Sequence, residues 1–264
     1  MPNGDEANQQ LAHPATAGAD VSRKATATLI LVFFFLIFLP LSILGTSIDW
    51  PENLSEDAAY NLPLLLDERP SVFWGYFMYL IYSISFYPMA YMMGRLVAGP
   101  SNLHSPLLHI GSNFAALSSL SRSIGLSRWL MGMPTLARIY TDPDASEATL
   151  AAVSVSYDML NAWGGGIGEI LGVSIFASLW VVCISLLFIG SQDWPSWLGY
   201  AGFVVAVDLA LNLLEMDILG IDMGANLLIS VILLHLWLLM AGLLFLRLPC
   251  LNCMQKKAKE PTAE

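Results

Sequence analysis

Charge is what this chain has least of. Asp, Glu, Lys and Arg together make up 12% of its 264 residues, about half the ~25% usual in soluble domains. A water-exposed surface cannot be covered with so little charge, and apolar residues reach 56%. An ordinary soluble enzyme is thereby excluded. Basic residues are scarcer still: 11 Lys and Arg against 21 Asp and Glu leave a net charge of −10. No basic stripe offsets it, which excludes nucleic acid as the main partner. Cysteine is nearly absent, with 3 in the chain. Cys183 lies inside an apolar run, and Cys250 and Cys253 form a lone C-x-x-C without the second pair of ligands that a structural zinc requires. There is no Walker loop, H-E-x-x-H, G-x-S-x-G or dense histidine cluster, so no catalytic residue or metal set emerges. The first and last two apolar runs contain no lysine for a retinal Schiff base.

What the chain has in abundance is long apolar runs. A helix crosses a ~30 Å hydrocarbon core with roughly 20 mostly apolar residues. Runs at 27–47, 72–97, 167–190, 194–216 and 223–246 meet that requirement. The stretch 106–140 carries many serines together with Arg122 and Arg128, yet Phe114, Leu117, Leu120 and Ile124 recur at helical spacing. It reads as a long helix buried among the others, polar along one side. The expectation is all-α: a polytopic transmembrane helical bundle of about six spans. Residues 1–25 are expected to be a disordered cytoplasmic tail, 26–247 the transmembrane domain and 248–264 a cytoplasmic tail. Residues 146–163 read as a short amphipathic helix on the outer side, capped from Asp142–Glu147. Gly164-Gly165-Gly166 is expected to bend the chain from it into the fourth span.

Lys and Arg are retained on the cytoplasmic side of short-looped membrane proteins. With six spans, Arg23, Lys24, Arg95, Arg247, Lys256, Lys257 and Lys259 share one face. Asp49, Glu52, Glu56, Asp57, Asp67, Glu68, Asp142, Asp144 and Glu147 share the other, with Asp217 and Asp222. Both termini are then cytoplasmic, in a cell membrane of the bacterial inner-membrane kind. Trp50, Trp74, Trp129, Trp163, Trp194 and Trp197 lie near span ends, where amphipathic rings favour the headgroup zone. Asn53-Leu54-Ser55 fits a glycosylation sequon.

An ionisable group within hydrocarbon costs about 2.5–3.5 kcal/mol on insertion scales, so each needs a partner, water or a function. Arg122, Glu169, Asp208 and, more peripherally, Glu215 qualify. Helical rise places the first three in the outer half of the bundle. The expected arrangement is an Arg122–Asp208 pair with Glu169 or Asp158 as second acceptor. Such a pair either fixes helix register or lines a polar cavity for a substrate, ion or proton. Tyr76 and Tyr79 belong to an aromatic stripe that packs the interior or stacks on a flat apolar ligand. Gly164, Gly168 and Gly172 form a small-xxx-small ladder for close helix packing, within the bundle or at a homodimer seam. His109 and His235 are weak candidates for ligating a b-type haem; hydrogen bonding between helices is the plainer role, and no cofactor is expected.

The long helix with an internal arginine (114–126), the amphipathic stretch around Tyr157-Asp158 and the entry Trp194-Pro195-Ser196-Trp197-Leu198-Gly199 together resemble uncharacterised bacterial six-helix integral membrane proteins of a domain-of-unknown-function family. The resemblance runs over residues 26–247 and leaves the acidic first loop and the Cys250/Cys253 tail unmatched. It implies the architecture and no activity. Two functional readings stand. The first is an integral membrane binding or accessory protein, a subunit, scaffold or sensor that accommodates an apolar ligand or partner helices. Its partners are the lipid bilayer and other membrane subunits or a second copy. The second is a small membrane transporter or membrane-embedded enzyme using an outer-leaflet polar cavity around Arg122, Asp208 and Glu169.

Overall fold

A computed structural model describes residues 22–215 and 226–247, and no strand occurs among them. Helix α1, Ser22–Ile48, ends where Asp49 takes a left-handed φ of 54° and the Trp50 N–H reaches back to the Leu44 carbonyl at 3.5 Å, a closure typical of helix C-termini. A 3-10 turn, Glu52–Ser55, leads to α2, Ala58–Asp67. The Asp57 carboxylate caps α2 by accepting from the Tyr60 N–H at 2.9 Å, satisfying one of the orphan donors of a first turn. Helix α3, Arg69–Ala98, follows directly. It stops at Gly99, whose φ of 72° and ψ of 169° define a backbone conformation that side chains strain. Helix α4, Pro106–Ser127, opens with proline in its first turn, runs through a π-helical turn, Arg128–Gly132, and continues as α5, Met133–Tyr140.

The segment expected to be a separate amphipathic helix is part of a single element. Helix α6, Glu147–Gly190, is continuous over 44 residues. Gly164-Gly165-Gly166 does not interrupt the helix, which passes from α geometry at Gly165 into π-helical geometry over Gly166–Ala177. Ser146 Oγ, rather than either aspartate, caps its start by accepting from the Thr149 N–H at 3.2 Å. Helix α7, Ser196–Leu211, ends in a 3-10 turn, Asn212–Glu215, and α8 covers Asn226–Arg247. Residues 22–25, expected to belong to a disordered tail, are helical. Residues 1–21 and 248–264, with Cys250 and Cys253, lie outside the described residues, as do Asp217 and Asp222.

Among the described residues, four stretches are long and apolar enough to cross a membrane: Ser22–Ile48, Glu147–Gly190, Ser196–Leu214 and Leu228–Arg247. Helices α3 and α4 fall short of that standard in apolarity, because α3 carries a run of tyrosines and α4 a run of serines. Many large apolar side chains point outward, among them Phe35, Leu120, Val204 and Ile232. An exterior of this kind suits lipid rather than water.

Inside, two apolar clusters form. The larger joins α1, α3, α4, α6, α7 and α8 through Phe33, Phe86, Trp180, Leu209 and Trp237. The smaller builds a cap at the acidic end, where Leu44 and Ile48 of α1 meet Leu62 and Leu65 of α2, Met133 and Ala137, and Val153 and Tyr157 of α6. The acidic first loop is therefore folded. Its polar staple is Asn61, whose Nδ2 donates toward the Asn53 carbonyl at 2.7 Å, the Glu56 carbonyl at 3.0 Å and Tyr157 Oη at 2.7 Å. Asn53 Nδ2 in turn donates to Asn61 Oδ1 at 3.0 Å. The sequon asparagine is thus buried with its amide engaged, in a setting that closes it to glycosylation. Replacing Asn61 with Ala strands buried carbonyls, each unmade bond costing about 1–3 kcal/mol. The expected outcome is faster amide hydrogen exchange across 53–61 with the rest of the bundle unaffected. Trp129, expected at the interface, is instead fully buried in this cap, whereas Trp74, Trp163 and Trp197 are exposed as anticipated.

Candidate functional site

The glycine ladder and the two internal arginines are one construction. Helix α4 runs antiparallel to the π-helical part of α6, so that Gly172 meets Arg122 and Ser118, Gly168 meets Gly125, and Gly164 meets Arg128. A Cβ at Gly172 would lie 2.6 Å from Arg122 Cγ, and one at Gly164 would lie 2.6 Å from Arg128 Cδ. The glycines thus leave the space that the two arginine stems fill. Ser118 Oγ ties the crossing by donating to the Gly172 carbonyl at 2.7 Å. The ladder faces into the bundle.

Both arginines are buried, at 7% and 8% exposure. The Arg122 guanidinium lies 4.5 Å from the Phe86 ring centroid and 5.4 Å from that of Tyr82. That of Arg128 lies 5.5 Å from the Trp129 ring, which stacks on Tyr76 at 5.1 Å with the planes 1° apart. A desolvated cation over an aromatic face gains about 2 kcal/mol or more. Removing a cation from water costs several kcal/mol, so the rings offset part of that cost. Among the described residues, Nε and Nη2 of Arg122 and Nε of Arg128 are buried without a hydrogen-bond partner.

The expected Arg122–Asp208 fork is not made. It would use both carboxylate oxygens and two guanidinium nitrogens, yet Asp208 Oδ2, like Arg122 Nε and Nη2, has no partner among the described residues. Asp208 faces α8 through its backbone, where Ser230 Oγ donates to its carbonyl at 3.3 Å. Ser230 also accepts from Asn212 Nδ2 at 3.0 Å, and Asn226 Nδ2 donates to Asn212 Oδ1 at 2.9 Å. Asp158 is exposed on α6, and of Glu215 only the backbone is described. Glu169, expected beside Arg122, sits on the π-helical segment within Coulombic reach of Arg128, Tyr76 and Tyr79. Tyr76 is buried with its hydroxyl unpartnered among the described residues. Tyr79 packs edge-on against Trp50 at 5.8 Å. The structure therefore gathers Arg122, Glu169, Tyr76, Tyr79 and the three glycines, while Asp158 is exposed and Asp208 Oδ2 makes no hydrogen bond to any described residue.

The family model for a domain of unknown function (DUF4386) matches residues 25–242. The chain belongs to that family. The match takes in both arginines and the glycine ladder. No curated protein and no solved structure matches the chain.

The histidines of this DUF4386 chain part company. His235 is buried, with Nδ1 2.6 Å from the Val231 carbonyl and Nε2 3.0 Å from Tyr82 Oη. A carbonyl can only accept, so Nδ1 carries the proton and Nε2 accepts from the tyrosine hydroxyl. Both ring nitrogens are engaged, and the ring stacks on Phe33 at 5.8 Å. His109 is exposed in the first turn of α4, beside Tyr91. Tyr91 follows Tyr82 by two and a half turns of α3, a separation of about 13 Å along the axis, so the two imidazoles do not face each other. Tyr82→Phe leaves Nε2 unpaired, and a loss of about 1–3 kcal/mol is expected, read as a lower unfolding temperature in detergent.

Arg128, Trp129, Tyr82, Asn61 and Tyr157 were not among the candidate site residues of the sequence reading.

Proposed function

We propose that this DUF4386 protein is a six-span integral membrane protein with both termini cytoplasmic, and that it binds an apolar ligand whose acidic end seats on Arg122. Helix α3 has 30 residues, about 45 Å of rise and ample for a span, and α4 with its π turn and α5 is longer. The distribution of Lys and Arg supports the orientation. One observation carries the binding reading. Arg122 holds two buried donor groups without a partner, and its stem is seated between Gly172 and the Phe86 ring. A carboxylate or phosphate group is the acceptor that matches a guanidinium fork. The surrounding Tyr82, Phe86 and Phe33 rings suit the apolar body of such a ligand.

The exposure of Asp158 and the lack of any hydrogen bond from Asp208 Oδ2 to the arginines favour binding over transport or catalysis, which would link several titratable groups around one cavity. Native mass spectrometry of the full chain, extracted in mild detergent, tests the reading. A retained acidic amphiphile is expected, and protein that is recovered empty under every mild extraction contradicts it.

A further inference from the structure

We propose a second site, at the opposite end of the bundle from the cap: a cleft between the end of α3 and the start of α4 that binds a phosphate group, presented as the headgroup of an anionic phospholipid. The cleft encloses about 260 Å³ and is lined by Tyr91, Arg95, Leu103, His104, Leu108 and His109. Local geometry builds it. Tyr91 and Arg95 are one helical turn apart on α3, and the guanidinium rests 5.7 Å from the tyrosine ring centroid, which restrains the fork before any ligand arrives. The chain then reverses at Gly99 in a conformation open to glycine and winds through Pro100–Asn102. Asn102 N–H donates to the Gly99 carbonyl at 3.2 Å, and Ser105 N–H to the Asn102 carbonyl at 2.9 Å. The reversal brings His104 and His109 beside Arg95. Leu108 fixes the hairpin from below, its Cδ1 lying where a Cβ on Gly94 would approach to 2.9 Å.

The chemistry of the lining is one-sided. An arginine, two imidazoles and a phenol supply N–H and O–H donors, and no carboxylate lines the cleft. This is unusual in a chain of net charge −10, yet from Arg69 to Thr141 the sequence contains no Asp or Glu at all. Asp193 lies at the same end, on the turn whose Trp194 Nε1 donates to the Leu96 carbonyl at 3.4 Å, and it is not part of the lining. An arginine fork with flanking donors matches phosphate oxygens. Leu103 and Leu108 give the wall an apolar component, and a headgroup continues into glycerol and acyl chains. Basic recesses between membrane helices bind acidic headgroups in this way.

The full chain in detergent, titrated with phosphatidylglycerol or phosphatidylcholine and read by native mass spectrometry, tests the site. Wild type is expected to retain phosphatidylglycerol in preference to phosphatidylcholine. Arg95→Gln is expected to cut that retention about fivefold, the effect of one basic residue at a membrane surface, and His104→Gln with His109→Gln to cut it further. These side chains are exposed, so an unchanged elution profile and circular dichroism are expected for the variants. Phosphatidylglycerol added in the titration is counted beyond any mass carried through extraction, and Arg95→Gln is expected to leave that carried mass in place, which separates the cleft from the proposed intramembrane site. Addition of millimolar inorganic phosphate distinguishes the source: persistence of the lipid confirms a headgroup site, and displacement reassigns the cleft to free phosphate. Equal retention of the two lipids by wild type, or retention unaffected by all three substitutions, overturns the proposal.

Discussion

Gly125→Val prevents the bundle from assembling. A Cβ at this position would lie 2.7 Å from the Gly164 carbonyl oxygen and 2.7 Å from Gly168 Cα. Both are backbone atoms, so no rotamer change relieves the contact and the α4 and α6 axes must separate. Separation also breaks the bond from Ser118 Oγ to the Gly172 carbonyl and removes the walls against which both arginine stems pack. Overpacking of a core costs about 1–3 kcal/mol and at times more; a clash of backbone with backbone at the centre of a crossing belongs at the upper end. Gly166→Val is the matched control, since nothing lies within 4 Å of a Cβ built there. Its effect is confined to the helix propensity difference, a gain of about a few tenths of a kcal/mol for valine over glycine. The expected result is a monodisperse, cooperatively unfolding Gly166→Val protein and an aggregated or absent Gly125→Val protein. Equal behaviour of the two contradicts the crossing.

Arg122→Met leaves the fold as stable as before, or more so. The methionine keeps the apolar stem that fills the groove over Gly172 and lacks the guanidinium. Contacts with Phe86 and Tyr82 are lost, at about 2 kcal/mol. Against that, a buried cation with unpartnered donor groups no longer has to be desolvated, which relieves a penalty of several kcal/mol. Arg122→Ala is expected to behave differently. It vacates the groove as well, and truncation of a buried side chain to alanine costs about 2–5 kcal/mol. Thermal unfolding of the two variants in the same detergent separates the contribution of the stem from that of the charge.

The helical class and the apolar runs were legible because hydrophobic length and helical period survive without any knowledge of the fold. Arg122 stood out for the same reason, as a charge where charge is expensive. Its partner did not, because depth along the bundle can be read from helical rise but rotation about each helix axis cannot. Asp208 has the depth expected of a partner, but the bonds around it run through Ser230 and Asn212. The continuous α6 was missed because three consecutive glycines weaken an isolated helix, by about 1 kcal/mol each. Here the absence of side chains admits Arg128 against Gly164 and Gly165, and tertiary packing outweighs propensity. The folded first loop was missed because its acids drew attention, although Ala58, Leu62 and Leu65 already carried a helical spacing that now fills the cap.

The binding account turns on whether the Arg122 charge serves the ligand or the fold. The direct measurement is native mass spectrometry of wild type and Arg122→Met prepared in parallel, with unfolding temperature recorded on the same samples. The account predicts that the variant loses the acidic amphiphile retained by wild type while its unfolding temperature holds or rises. A variant that keeps the same bound mass, or one that unfolds well below wild type, contradicts it.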